Sequence, residues 1–467
     1  MNTLELGDNP FLAGNYAPVS DESDFDLNVT GELPKDLVGT FYRNGPNPQF
    51  APADDYHWFA GDGMIHAFFV GDGKVRYRNR YIRTPKWLAE NAAGRSLFGS
   101  FGNPRTTDPS VHGLDRGVAN TSLVWHSGKL LTLEEAHRPF QIDPLTLESY
   151  GYASQYPDRV TAHPKIDPDT GEMLWFAYAV GGSPSSKICT FGVTDSNGKI
   201  ERCDRFEAPY SSFVHDFLVT RRHVLFPILP LAGDLQRVMK GGSPYDWDPD
   251  KGSFVGVLAR NAPIETMRWF EVDTCFVYHA MNAWEEGSKI FADVMEHPDA
   301  ELIPKDSTIG KPVGARLVRW TLDLAGTSSQ VKREQLDDLP GEFPRFDERS
   351  TGLRYSHGWF AGNSRKPRPG SRTSGLFDSI AHVDLRSGKR NVFNFDLGDG
   401  PGEPIFVPRS AQAKEGDGWV VTTVYLGEIG TSDFLVFDAQ NISAGPIASA
   451  RLPRRVPFGF HGSWRPG

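Results

Sequence analysis

The chain has 467 residues, a net charge of −10 and a pI of about 5.7. That acidic balance excludes a nucleic-acid partner, which a basic surface would have to meet, and argues against electrostatic docking on anionic lipid. With 48 glycines, 35 prolines, 31 phenylalanines and 11 tryptophans, and few Ala/Leu/Glu/Lys runs, the composition indicates β-structure with frequent turns.

No apolar run follows a basic start and no stretch of about 18 apolar residues occurs, so neither a signal peptide nor a transmembrane segment is expected. Cys189, Cys203 and Cys275 show no CxxC spacing, which fits a reducing, cytoplasmic location and argues against a cysteine metal cluster.

In chain order, the first strong signal is Phe41–Pro48, a strand ending in a hard turn. From there a short β-rich run, a polar turn with Gly or Asp and a second run recur, as in Phe68–Val75, Leu123–Leu131, Ile166–Glu172, Val193–Lys199 and Val383–Lys389. Strand, tight hairpin, strand is the pattern of antiparallel propeller blades. Pro85–Arg95 and the segment around Leu231–Lys240 predict helical insertions. No linker or composition shift divides the chain, so residues 1–467 are expected to form one all-β propeller domain, capped by loops and short helices. The runs Gly61–Gly63 and Gly71–Gly73 read as hairpin turns rather than phosphate loops, since neither precedes a helical pattern. Phe226–Leu231 (FPILPL) reads as a buried loop, with a substrate entrance or weak contact with a membrane surface as the alternative.

Of 13 histidines, His57, His112, His126, His137, His223, His297 and His382 fall in turns or polar contexts and are expected to be solvated; His66 and His357 are undecided. His163, His215, His279 and His461 differ. Each lies in or beside an apolar or small-residue run on what reads as a strand or strand end, and they are 52, 64 and 182 residues apart. A propeller brings the inner strand of every blade to one axis, so imidazoles from several blades would suit a metal there. The closing stretch Pro457–Trp464 is aromatic and glycine-rich, and reads either as a ligand-bearing segment threaded into the centre or as a strand that only closes the ring.

The segments Tyr42–Pro48 (YRNGPNP), His57–Met64 (HWFAGDGM), Ala119–Thr121, Asp143–Glu148 (DPLTLE), Ala162–Lys165, Val214–Phe217, His279 with Asn282–Lys289 (NAWEEGSK), Glu342–Pro344, Glu403–Arg409 (EPIFVPR) and His461–Trp464 together resemble the carotenoid cleavage oxygenase family. That family includes plant and cyanobacterial carotenoid cleavers, the vertebrate retinoid isomerase and bacterial lignostilbene dioxygenases. The resemblance runs nearly end to end. It implies a seven-bladed propeller with Fe(II) on the axis, held by His163, His215, His279 and His461. Four neutral imidazoles leave the metal's charge uncompensated, so carboxylates behind them should orient the rings and return negative charge. The matching residues are Glu135, Glu342 and Glu403. Thr121 matches a threonine beside an open iron position, where its methyl group would restrict access. The implied activity is cleavage of a conjugated carbon–carbon double bond by O2 to two carbonyl products, with no organic cofactor.

Arg95–Gly99 and Asn282–Lys289 resemble the bacterial lignostilbene-type branch, whereas Tyr42–Pro48 and His57–Phe68 resemble the carotenoid cleavers. Members acting on phenolic stilbenes place a Tyr and a Lys against the substrate hydroxyl, where this chain has Phe101 and Glu134. Phenylalanine donates no hydrogen bond, and a glutamate beside a developing phenolate repels it. Phe59 and Phe101 would line an aromatic tunnel, so an apolar apocarotenoid or similar extended alkene is the expected substrate, with a stilbene or phenylpropenoid aryl alkene as the alternative. Two rivals remain: a peptide-reading propeller, with histidines scattered off any common axis, and a hydrolytic propeller, with carboxylates around an axial calcium.

Overall fold

The computed structural model describes residues 9–52, 56–99, 104–302, 314–365 and 377–467. Five four-stranded antiparallel sheets follow one another along the chain. Their first strands are Ser122–His126, Lys165–Ile166, Leu218–Val219, Phe276–Glu286 and Gly341–Phe346. A ten-stranded sheet takes both ends of the described chain, and the strands Leu231–Gly233 and Tyr245–Trp247 form a separate ribbon.

The fold is thus all-β and propeller-like, with five self-contained blades rather than seven separate ones. The reason is the strand Ser23–Gly31. Its first half pairs with Lys74–Tyr81 and its second half with Ala448–Arg451, welding what would be two blades into one sheet. The last strand, Gly462–Pro466, pairs with Gly39–Pro46 in that sheet, setting Trp464 opposite Phe41. The closing stretch, expected either to enter the centre or only to close the ring, closes it and also sets His461 at the residue before the strand.

Burial follows position in a blade. Met173–Ala177 and Gly39–Pro46 are buried at every residue, as strands covered on both faces must be. Ile200–Glu207, the outer strand of its sheet, alternates between half-buried and exposed. Tight turns follow the sequence: Asp72 and Gly73 both have positive φ (51° and 71°), the twist a two-residue hairpin loop requires.

The helix Pro85–Ala93 forms where expected, capped by the Thr84 side chain at its start and by Gly94 in the left-handed region at its end. The second insertion is helical only at Leu235–Met239, because Leu231–Gly233 is taken by the ribbon. Phe226, Ile228, Leu229 and Leu231 are all buried, so the stretch expected to be a buried loop or a membrane contact is interior strand and ribbon. No helix among the described residues is long and apolar enough to cross a membrane.

Candidate metal centre and cavity

His163 and His215 lie just before the innermost strands of the second and third four-stranded sheets, and His279 lies within the innermost strand of the fourth. His461 precedes the terminal strand of the ten-stranded sheet. Four sheets thus present one ring each to a common centre. The ring nitrogens meet there: Nε2 of His163 is 3.0 Å from that of His215, His215 is 3.1 Å from His279, and His279 is 3.1 Å from His461. All four ligand atoms fall within 4.8 Å of one another.

Backbone irregularity aims the groups. The strand carrying His279 is bulged on both sides of Ala280, and the Glu342 strand shifts register before Arg345. Phe343, next to Glu342, has φ of 55°, and Ala119, two residues before Thr121, has φ of 51°. Strain of this kind persists only where surrounding structure over-determines it.

The three predicted glutamates stand behind three of the rings. Nδ1–H of His215 donates to Glu135, that of His279 to Glu342 at 2.5 Å, and that of His461 to Glu403 at 3.0 Å. Each carboxylate has a second anchor: Glu135 accepts from Tyr178 at 2.5 Å, Glu342 from the backbone of Phe343 at 2.7 Å, and Glu403 from the backbone of Gly462 at 2.7 Å. His163 has no carboxylate on Nδ1 among the described residues. Burial pushes the pKa of His461 down to about 4, although Glu403 opposes the shift. Burial and the neighbouring rings hold His163 well below 6.5. Burial would raise Glu403, but Arg345 and His461 outweigh it and bring the carboxyl down to about 2.

A cavity of about 710 Å³ reaches this centre and is lined by His215, His279 and His461. Its walls carry aromatic rings, Trp58, Phe59, Phe213, Tyr278 and Phe460 among them, interspersed with charged groups such as Lys86, Glu90, Arg116 and Arg159. Thr121 and Glu134 line it too; Thr121 Oγ1 donates to Asn120 at 3.1 Å, and the Thr121 carbonyl accepts the His461 backbone N–H at 3.1 Å. Phe101 lies outside the described residues. His163 opens instead onto a second cavity of about 450 Å³, lined also by Lys165, Asp216, Arg345 and Glu403.

Two histidines read as solvated belong to this site. His297 donates to Glu342 at 2.9 Å, and His137 pairs with Glu134; both line the main cavity. His57, His126 and His382, also read as solvated, are buried. His297 ends the strand Lys289–His297, and no local motif marks it, because its partner Glu342 is 45 residues on.

The chain is similar to known proteins over its whole length. The family described as retinal pigment epithelial membrane protein matches residues 16–466. Isoeugenol monooxygenase of Pseudomonas nitroreducens is 39% identical over 474 residues, 98% of each chain. Lignostilbene dioxygenase of Pseudomonas brassicacearum superposes with a TM-score of 0.93 at 34% identity, covering 100% of both chains. A cobalt-substituted apocarotenoid oxygenase of Synechocystis superposes with a TM-score of 0.84 at 27% identity, covering 96% of this chain and 97% of that one.

Proposed function

The chain belongs to the carotenoid cleavage oxygenase family, and from that premise we propose that it is a ferrous-iron oxygenase cleaving the conjugated carbon–carbon double bond of an aryl alkene to two carbonyl products. The carrying observation is the set of four Nε2 atoms turned on one another. The rings of His215, His279 and His461, which give Nδ1–H to carboxylates, present bare lone pairs on Nε2, and lone pairs at 3.1 Å repel unless a cation lies between them. The donor set, all imidazole and no thiolate, suits a divalent iron. His163, His215, His279 and His461 would hold it, and when bound it would supply O2 activation beside the alkene. Glu135, Glu342 and Glu403 fix the rings and return negative charge. Thr121 and the aromatic wall shape the space in which the alkene lies.

The cavity is of a size that encloses one small ligand, within the range of about 300–1,000 Å³ usual for such sites. The kinship with an isoeugenol monooxygenase and a lignostilbene dioxygenase favours an aryl alkene over the apocarotenoid. In the same reading the ten-stranded sheet counts as two blades fused through Ser23–Gly31, which makes the propeller seven-bladed.

Elemental analysis of wild type and His279→Ala, with O2 consumption and product analysis on isoeugenol, 4-hydroxystilbene and an apocarotenal, tests the proposal. Near one iron per chain, lost in the variant together with aldehyde formation from an aryl alkene, is the expected result. A protein that holds no iron after anaerobic ferrous reconstitution overturns the metal assignment; cleavage of the apocarotenal alone overturns the substrate.

A further inference from the structure

One side of the cavity wall carries donors with no acceptor in the protein. Arg159 and Tyr245 line the cavity there. Arg159 stands four residues before His163. Its backbone is pinned by the Val160 N–H to the His137 carbonyl at 3.2 Å and the Thr161 N–H to the Phe176 carbonyl at 2.7 Å. Tyr245 opens the ribbon strand Tyr245–Trp247 and is 8% exposed. Three relations place the Arg159 guanidinium. It works against charging of His137, it favours the ionised forms of Tyr178 and Tyr245, and a Cβ on Gly182 would lie 3.7 Å from its Nη2. All four of those residues line the same cavity.

The carboxylates nearby are turned to other partners. Glu135 accepts from His215 and from Tyr178, and Glu134 Oε2 accepts the backbone N–H groups of Val118 at 3.0 Å and Ala119 at 3.1 Å. Asp158, next to Arg159 in the chain, pairs with Arg138. Among the described residues, neither the Arg159 guanidinium nor the Tyr245 hydroxyl has a hydrogen-bond or ion-pair partner. Lys86, another cation on this wall, is by contrast held by Asp62 at 2.7 Å and Glu90 at 2.8 Å. Burying a cation is costly until an anion meets it. The planar fork of a guanidinium matches a carboxylate in two parallel hydrogen bonds. Burial raises Tyr245 by more than Arg159 lowers it, so its hydroxyl stays a donor.

The rings of Tyr178 and Tyr245 pack on Phe213 at 5.6 and 5.5 Å, and Phe213 stacks on His215 at 5.9 Å. One aromatic ring thus separates the metal-binding imidazole from the donor pair. One aryl ring likewise separates the double bond of a stilbene from a carboxylate on its para position. We propose that Arg159 and Tyr245 form an anion subsite that takes a ring carboxylate of the aryl alkene. The guanidinium holds both oxygens, and the Tyr245 hydroxyl donates to one of them. Both are specificity-determining residues and take no part in bond cleavage. The inference rests on the aryl-alkene reading given above.

The test compares trans-stilbene-4-carboxylate with the uncharged trans-stilbene-4-carboxamide, first by calorimetric titration of metal-free protein. Wild type should bind the carboxylate roughly 10–100-fold more tightly, the usual worth of hydrogen bonds to a charged group. Added salt should shrink that preference. Arg159→Gln should remove the preference with Tm held, and Arg159→Lys, which keeps the charge but loses the fork, should restore part of it. Tyr245→Phe should weaken carboxylate binding by roughly 2–10-fold. With iron loaded, the loss in Arg159→Gln should appear in KM far more than in kcat. A merely structural role would lower Tm and weaken both compounds together. If Arg159→Gln does not fold, Tyr245→Phe and the salt dependence of wild type make the same comparison. Wild type that binds the two compounds alike overturns the subsite, and so does an Arg159→Gln that keeps the preference. Loaded enzyme that cleaves the carboxamide and spares the carboxylate also overturns it and leaves the oxygenase reading standing. Carboxylate binding that depends on Arg159, with cleavage of neither compound, upholds the subsite and sinks the aryl-alkene reading alone.

Discussion

His297 donates through Nε2 to Glu342 at 2.9 Å, on the carboxylate that also takes the Nδ1–H of His279 at 2.5 Å. Burial would raise the pKa of Glu342, but the two rings outweigh it and hold the carboxyl well below its usual range. The shared carboxylate makes His297 a support of the His279 ring at one remove. Glu342→Gln should weaken iron affinity by roughly 10–100-fold, the usual cost of losing a ligand's outer partner. His297→Phe should weaken it less, because His279 keeps its acceptor. Competition with a ferrous chelator measures both, and an unchanged affinity in Glu342→Gln would show that the carboxylate does not govern the site.

Acid should destabilise the metal-free protein over a defined window. His163 and His461 titrate below 6.5 when folded, His461 at about 4, so between those values the unfolded chain binds protons that the folded one refuses. Stability is then lost as pH falls from about 6.5, on the order of 1.4 kcal/mol per pH unit for each ring. His215 shifts upward, because Glu135 outweighs the burial that opposes its charging. Its contribution is complete below 6.5 and is lost only as pH rises through the raised value, so it does not cancel the acid slope. Thermal melts of the metal-free protein at pH 7, 6 and 5 check this, and His461→Phe should flatten the fall.

The four imidazoles were legible because each stands out from its surroundings: a histidine in an apolar or small-residue run at a strand end, as in Phe213–Phe217 and Phe458–Gly462. Glu135, Glu342 and Glu403 were legible only through family resemblance, since a single strand-end glutamate does not differ locally from a solvated one. His137 and His297 were hidden for a related reason. Their partners are Glu134, read as a repulsive oddity, and Glu342, which belongs to the next sheet, and no residue beside them in the sequence hints at either. The blade count escaped because one strand, Ser23–Gly31, divides its hydrogen bonds between two neighbours, and pairing of that kind leaves no trace in hydrophobic alternation.

The chain crossing at Gly45 and Gly459 is tight enough to test. A Cβ on Gly45 would lie 2.7 Å from the Cα of Gly459, backbone against backbone, so the segment carrying Phe460 and His461 would have to move. Gly45→Val should cost about 1–3 kcal/mol of stability and lower iron content together with Tm. Gly71→Ala, whose Cβ would meet only Val38 at 3.8 Å, should stay within about 0.5 kcal/mol of wild type. If Gly45→Val melts like Gly71→Ala, the crossing is looser than the backbone distance implies.

Phe59 separates substrate binding from metal binding. Its ring packs edge-on against His57 at 4.5 Å and Phe460 at 5.6 Å, and it lines the cavity. Phe59 is not one of the four imidazoles or the three glutamates behind them, so its removal should leave iron content intact. Losing the burial of one aromatic ring against an apolar substrate is worth about 1.5–3 kcal/mol, so Phe59→Ala should raise KM for an aryl alkene by roughly 10–100-fold and change kcat far less. A variant that keeps its KM but loses kcat would mean that Phe59 orients the alkene for attack rather than binding it.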